Sequence, residues 1–128
     1  MMDINKKVLI VEPDIKYARE LFEIFVDEDY DLILSRSFTD AVKKLEAVKF
    51  DCIIMDVNLS DMKGYEAVPI MKKIDPKIQI IMIADQNTRE LEAEVRKQDV
   101  FYYYIKSFES CELKLAVCGI FDKLRKEK

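Results

Sequence analysis

Asp56 ends an apolar run, Cys52-Ile53-Ile54-Met55, and opens a polar loop that continues through Asn58, Ser60 and Asp61. Glu12 and Asp14 follow a first apolar run, Val8-Leu9-Ile10-Val11, and Lys106 follows the last, from Val100 to Ile105. Carboxylates gathered around one ammonium make a pocket suited to a hard divalent cation such as Mg²⁺. A carboxylate beside such a cation can accept a phosphoryl group and hold it as an aspartyl phosphate. The metal would neutralise developing charge, and the lysine would pair with a phosphoryl oxygen. Taken singly, an acid at a strand end reads as a solvated cap. At the ends of the first, third and fifth runs together, these groups read as a site.

Composition removes most competing chemistries. The 128 residues include no His, so there is no Ser/His or Cys/His nucleophile pair and no imidazole metal ligand. The chain cannot carry a phosphoryl group on a histidine of its own. The two glycines, Gly64 and Gly119, are too far apart for a phosphate-cradling loop or a dinucleotide fingerprint. The net charge is −4, with charges of both signs interspersed over 36% of the residues, which argues against nucleic-acid binding. No apolar run is long enough to span a membrane, and no signal-peptide pattern opens the chain. Cys52, Cys111 and Cys118 have no metal-ligand spacing and read as reduced thiols of a cytoplasmic protein.

The elements that must position the acids follow from hydrophobic periodicity. Val8 to Val11, Tyr30 to Leu34, Cys52 to Met55, Ile78 to Ile83 and Val100 to Ile105 read as five strands. Helical stripes alternate with them. The first is Ala18, Leu21, Phe22 and Phe25 behind an Asp14 cap; the second is Phe38, Ala41, Val42 and Leu45 behind Ser37. Ala67, Val68 and Met71 predict a short helix stopping near Asp75-Pro76, and Leu91 and Val95 a weak, polar one behind Thr88. Leu113, Ala116, Val117, Ile120, Phe121 and Leu124 mark the last. The fold class is therefore α/β: one doubly wound five-stranded parallel sheet with helices on both faces, in a single domain over residues 1–128. Ligands of such sheets bind at the carboxyl ends of the strands, where Glu12, Asp14, Asp56, Ala84, Asp85 and Lys106 fall.

Four segments carry a family resemblance. They are Val8 to Glu12; Asp51 to Asp56 with Leu59, Asp61, Met62 and Gly64; Ile80 to Ala84; and Tyr103 through Lys106 to Phe108. Together they resemble the receiver domains of two-component response regulators, a flavodoxin-like (βα)5 family, over nearly the whole chain. The resemblance implies a signalling phosphoprotein rather than an enzyme. Asp56 would be the phosphoacceptor and Lys106 the phosphoryl-pairing lysine. Glu12, Asp56 and the Asn58 backbone carbonyl would hold Mg²⁺, and Tyr103 would be the switch aromatic. The implied donor is a histidine kinase, a phosphotransfer protein or a small phosphodonor. The implied docking surface, for a second copy or an effector, is the last strand with the last two helices. Gly64 falls where the phosphoacceptor loop needs a permissive residue.

The sequence departs from the family at the site itself. Pro13 stands where a second acid is expected, which weakens divalent binding. Asp14, unless engaged as a helix cap, or Asp85 would be the replacement ligand; Asp85, where the family usually has a small residue, would otherwise repel an incoming phosphodonor. Ala84 lacks the hydroxyl expected at the end of the fourth strand. A hydroxyl bonded to a charged phosphoryl contributes about 1.5–3 kcal/mol, against the ~5.5 kcal/mol that turns a switch from 1:99 to 99:1. Ser60 and Ser107 replace common prolines and would loosen two loops. The alternative reading is a degenerate receiver that acts as a phosphorylation-independent interaction module; a small flavodoxin-like enzyme is a third. In the aromatic run, Phe101 and Tyr103 are predicted to face one side and Tyr102 and Tyr104 the other, as core and rim packing. The basic tail, Lys123, Arg125, Lys126 and Lys128, reads as a solvated helix end.

Overall fold

The computed structural model describes residues 6–126, so Lys128 lies outside the described residues. The elements alternate: β1 (Lys7–Val11), α1 (Ile15–Ile24), β2 (Asp31–Ser35), α2 (Phe38–Ala47), β3 (Cys52–Asp56), α3 (Gly64–Ile74), β4 (Gln79–Ala84), α4 (Arg89–Arg96), β5 (Tyr102–Ile105) and α5 (Ser110–Lys126). The sheet runs β2-β1-β3-β4-β5 and every pairing is parallel. β1, β3 and β4 are covered on both faces, which is why they read as unbroken apolar runs.

The period of two divides each strand between two cores. Leu9, Val11, Ile53, Met55, Ile80, Met82 and Ala84 face α2, α3 and α4. Val8, Ile10, Cys52, Ile54, Ile81, Ile83 and Tyr104 face α1 and α5. This register has a functional consequence. Glu12, Asp56 and Lys106 continue the second set, and Ala84 and Tyr103 belong to the first.

Side-chain caps start three helices. Asp14 accepts from Lys16 N at 3.0 Å, Ser37 from Asp40 N at 3.1 Å and Thr88 from Leu91 N at 3.0 Å. α3 has no such cap at Lys63 and carries Pro69 in its interior, yet runs eleven residues to Ile74. Burial of Ala67, Val68 and Met71 outweighs the missing backbone bond. Several strand termini differ from expectation by one or two residues. β2 begins at Asp31 rather than Tyr30, and Lys7 pairs with Asp31 at 2.7 Å on that edge. Tyr30 instead stacks on Phe121 at 5.2 Å. β4 ends on Ala84, and β3 ends on Asp56 itself. β5 begins only at Tyr102, so the predicted alternation fails for Phe101. Its ring lies beside Gly119 of α5, across the sheet from the side taken by Tyr103.

Both glycines have unstrained dihedrals. Gly64 is needed for a close approach rather than for a permissive φ. A Cβ there would collide with the Asp56 carbonyl oxygen and sit 3.0 Å from Val57 Cα. Its own N–H donates to Val57 O at 2.7 Å, drawing the start of α3 against the end of β3.

Candidate functional site

The register brings Glu12, Asp56 and Lys106 to one corner of the sheet, on the α1 side. Val11 pairs with Met55, so the next residues, Glu12 and Asp56, end up side by side. Lys106 arrives from the far edge, its N–H bonded to Ala84 O at 2.8 Å. Its ammonium is ringed by acids: Asp56 Oδ2 at 2.8 Å, Glu12 Oε1 at 3.1 Å and Asp85 Oδ1 at 3.2 Å. The Lys106 side chain is 11% exposed, and Asp85, at 81%, forms the solvent rim. On the remaining side the ammonium lies over the Tyr17 ring, 4.2 Å from its centroid.

Asp56 is held at both oxygens. Oδ1 accepts from Asn58 N at 2.7 Å while Oδ2 faces Lys106. Glu12 Oε2 accepts from Asp14 N at 3.1 Å. Glu12 Oε1 is buried and, among the described residues, has no aligned hydrogen-bond donor. The Lys106 ammonium stands at ion-pair distance from it but off the hydrogen-bonding direction. Burial, then the neighbouring Asp56 carboxylate, pushes the Glu12 carboxyl from its ordinary 4.5 up to about 7. Burial opposes the charge on Lys106, but Asp56 and Glu12 outweigh it and hold the ammonium above the ordinary lysine value.

The remaining sequence candidates fall around this corner. Asp14 is exposed, and its side chain is occupied as the α1 cap. Pro13 contributes only its carbonyl, which accepts from Arg36 at 3.0 Å. Asn58 follows Asp56 by two residues, and its side-chain oxygen accepts from Lys63 at 2.8 Å. Ala84 is buried on the opposite face, towards α4. Tyr103 lies on that face too, its hydroxyl donating to Asn87 at 2.9 Å. Asn87 in turn donates to Glu92 at 2.7 Å, so the tyrosine is tethered to α4. The loop carrying Ser60 is pinned rather than loose. Asn58 and Lys63 form a bridge, Leu59 N donates to Met62 O at 3.1 Å, and Asp61 accepts from Phe38 N at 2.9 Å and Thr39 N at 3.0 Å.

Among the described residues, no three Asp, Glu, Cys or His side chains are grouped to hold a metal. The acids surround the ammonium instead. Glu12 and Asp56 are nonetheless hard oxygen donors, and one buried Glu12 oxygen lacks an aligned donor. Mg²⁺ sites commonly use one or two carboxylates and keep several waters, so the donor set fits that ion. Sequence reasoning missed Tyr17, Asn87 and Lys63. Tyr17 was legible in principle as an aromatic three residues past the Asp14 cap; the other two carry no pattern.

The profile of the response regulator receiver domain matches residues 8–118. The chain belongs to that family. It is a receiver domain of two-component signalling, with the five-stranded α/β fold of its relatives. A protein-glutamate methylesterase/protein-glutamine glutaminase of Maricaulis maris is 34% identical to this receiver over 93 residues, covering 70% of the chain and 23% of that protein. The chemotaxis protein CheY of Listeria monocytogenes is 26% identical over 106 residues, 81% of the chain and 88% of CheY. The crystal structure of a CheY-like receiver domain protein from Methanospirillum hungatei superposes with a TM-score of 0.88 at 22% identity, covering 98% of this chain and 100% of that one. The receiver spans about a quarter of the length of the methylesterase and of the transcriptional regulators it matches, so their activities do not transfer with the fold. Among the described residues no helix is long and apolar enough to cross a membrane.

Proposed function

We propose that Asp56 accepts a phosphoryl group from a histidine of a kinase or phosphotransfer protein, or from a small phosphodonor. An Asp56 carboxylate oxygen forms the new P–O bond as the donor's own bond to phosphorus breaks: the P–N bond of a phosphohistidine, whose imidazole nitrogen takes the electron pair, or the P–O bond of an acyl phosphate, whose carboxylate leaves with it. The observation that carries this reading is the ammonium of Lys106 at 2.8 Å from Asp56 Oδ2, buried at the carboxyl end of the sheet. There it can exchange a carboxylate oxygen for a phosphoryl oxygen. Glu12, Asp56 and the Asn58 backbone carbonyl would hold Mg²⁺, which when bound neutralises charge on the transferring group. The site binds the ion weakly because Pro13 brings no carboxylate and Asp14 is committed to α1.

The second reading, a receiver that docks independently of phosphorylation, is favoured by Ala84 and by the Tyr103 tether. Residue 84 has no hydroxyl to report a phosphoryl group, and Tyr103 is already fixed to Asn87 at 2.9 Å. For either reading the docking face is α4, β5 and α5, where Phe101 and Leu115 are exposed. The partner is a second copy or an effector, in the cytoplasm, and the domain extends over residues 1–128. The test is intact mass after incubation with acetyl phosphate and Mg²⁺. Gain of one phosphoryl group, absent in Asp56→Asn, supports the acceptor reading. No gain at any Mg²⁺ concentration leaves the docking module.

A further inference from the structure

Tyr17 stands on α1, one turn beyond the Asp14 cap, and its ring lies against the α1/α5 core beside the acidic corner. The Lys106 ammonium sits 4.2 Å above the ring centroid, within the range of a cation–π contact. The other neighbours of that ammonium are the carboxylates of Asp56, Glu12 and Asp85. Asp85 is mostly exposed, so its attraction is screened by water and salt. The ring is half-buried and keeps the side facing α1 closed. Without it the flexible four-carbon stem of lysine has room to carry the ammonium outward, towards Asp85 and solvent.

We propose that Tyr17 is a positioning residue, whose ring face holds the Lys106 ammonium against Asp56. The consequence for phosphoryl transfer rests on Asp56 being the acceptor; the placement of the lysine does not. Burial pushes the Tyr17 phenol well above its ordinary range, so the ring stays neutral. The contact belongs to the ring face, and phenylalanine supplies the same face.

Three proteins separate positioning from packing: wild type, Tyr17→Phe and Tyr17→Leu, the last keeping an apolar side chain against the core. The first readout is the NMR shift of the Lys106 ε-methylene protons, assigned by loss in Lys106→Arg. A proton above a ring face moves upfield, so the shift is expected upfield of the other lysines in wild type and Tyr17→Phe, and ordinary in Tyr17→Leu. The second is the maximal rate of phosphoryl uptake from acetyl phosphate with Mg²⁺. It is expected unchanged in Tyr17→Phe and about tenfold lower in Tyr17→Leu. An ordinary Lys106 shift in wild type overturns the proposal, as does a wild-type rate in Tyr17→Leu. An upfield shift in a wild type that takes up no phosphoryl group overturns the acceptor reading and upholds the placement of the lysine.

Discussion

The chain has only two glycines, and alanine at the two positions should act in opposite directions. At Gly119, inside α5, an added Cβ would meet Phe101 Cζ at 3.5 Å and Cε2 at 3.7 Å, ordinary van der Waals distances. No rearrangement is needed, and the helix gains the propensity difference, about 0.5–1 kcal/mol. At Gly64 the Cβ would overlap the Asp56 carbonyl oxygen and press on Val57 Cα at 3.0 Å. Both are backbone atoms of β3 and its loop, which cannot rotate away. Overpacking of this kind costs about 1–3 kcal/mol. Helix propensity returns only a part, because residue 64 is the first of α3. The net loss should be about 2 kcal/mol. With a urea dependence of about 2 kcal/mol per molar, Gly119→Ala should raise the unfolding midpoint by ~0.3–0.5 M and Gly64→Ala should lower it by about 1 M. Thermal midpoints should move in the same directions by roughly 4 °C per kcal/mol. Gly64→Ala should also displace the Asp56 carbonyl and weaken any response of the site to a phosphoryl mimic. A Gly64→Ala protein as stable as wild type would refute the close-approach argument, and a destabilised Gly119→Ala would refute its counterpart in α5.

Three further outcomes follow from the acidic corner and its loop. Without added Mg²⁺, stability should fall as pH rises from 4.5 to about 7, because the fold raises the Glu12 value and so binds that proton more tightly than the unfolded chain. The full shift corresponds to at most about 3 kcal/mol, and Glu12→Gln should flatten the slope; urea midpoints that climb with pH across this window would contradict it. Pro13→Asp should tighten Mg²⁺ binding by about tenfold in a calorimetric titration, since it restores a second acid next to Glu12, and unchanged affinity would show that residue 13 does not face the ion. Asp61→Ala should cost about 1 kcal/mol by removing acceptors for Phe38 N, Thr39 N and Thr39 Oγ1 at the start of α2. Those bonds, with Thr39 N foremost, also hold the Asp61 carboxyl below its ordinary 3.8, so this contribution is lost as pH falls below that value and is absent from the acid limb of the variant.

The fold was legible because its three central strands bury both faces and its helices bury one, so period and run length were separate signals. The caps at Asp14, Ser37 and Thr88 were legible for the same reason: an N-cap is a local bond, set by residues two or three apart. The convergence of Glu12, Asp56 and Lys106 was also accessible, since strand-end residues of one parity in a parallel sheet share a face. The parts that stayed hidden depend on distance in sequence. Tyr17 meets Lys106 across 89 positions, and Tyr103 meets Asn87 through a rotamer choice that no period encodes. Asp61 looked like a loop acid and instead secures α2. Phe101 had the strand composition but lies outside β5, with its ring beside Gly119.

The most direct test of the central claim is a beryllofluoride titration with Mg²⁺ followed by amide NMR, beryllofluoride being a mimic of the aspartate-bound phosphoryl group. A working acceptor site predicts saturable shifts at Asp56, Asn58 and Lys106 that extend to Tyr103 and disappear in Asp56→Asn. Unchanged spectra at saturating Mg²⁺, or shifts that persist in Asp56→Asn, would contradict it.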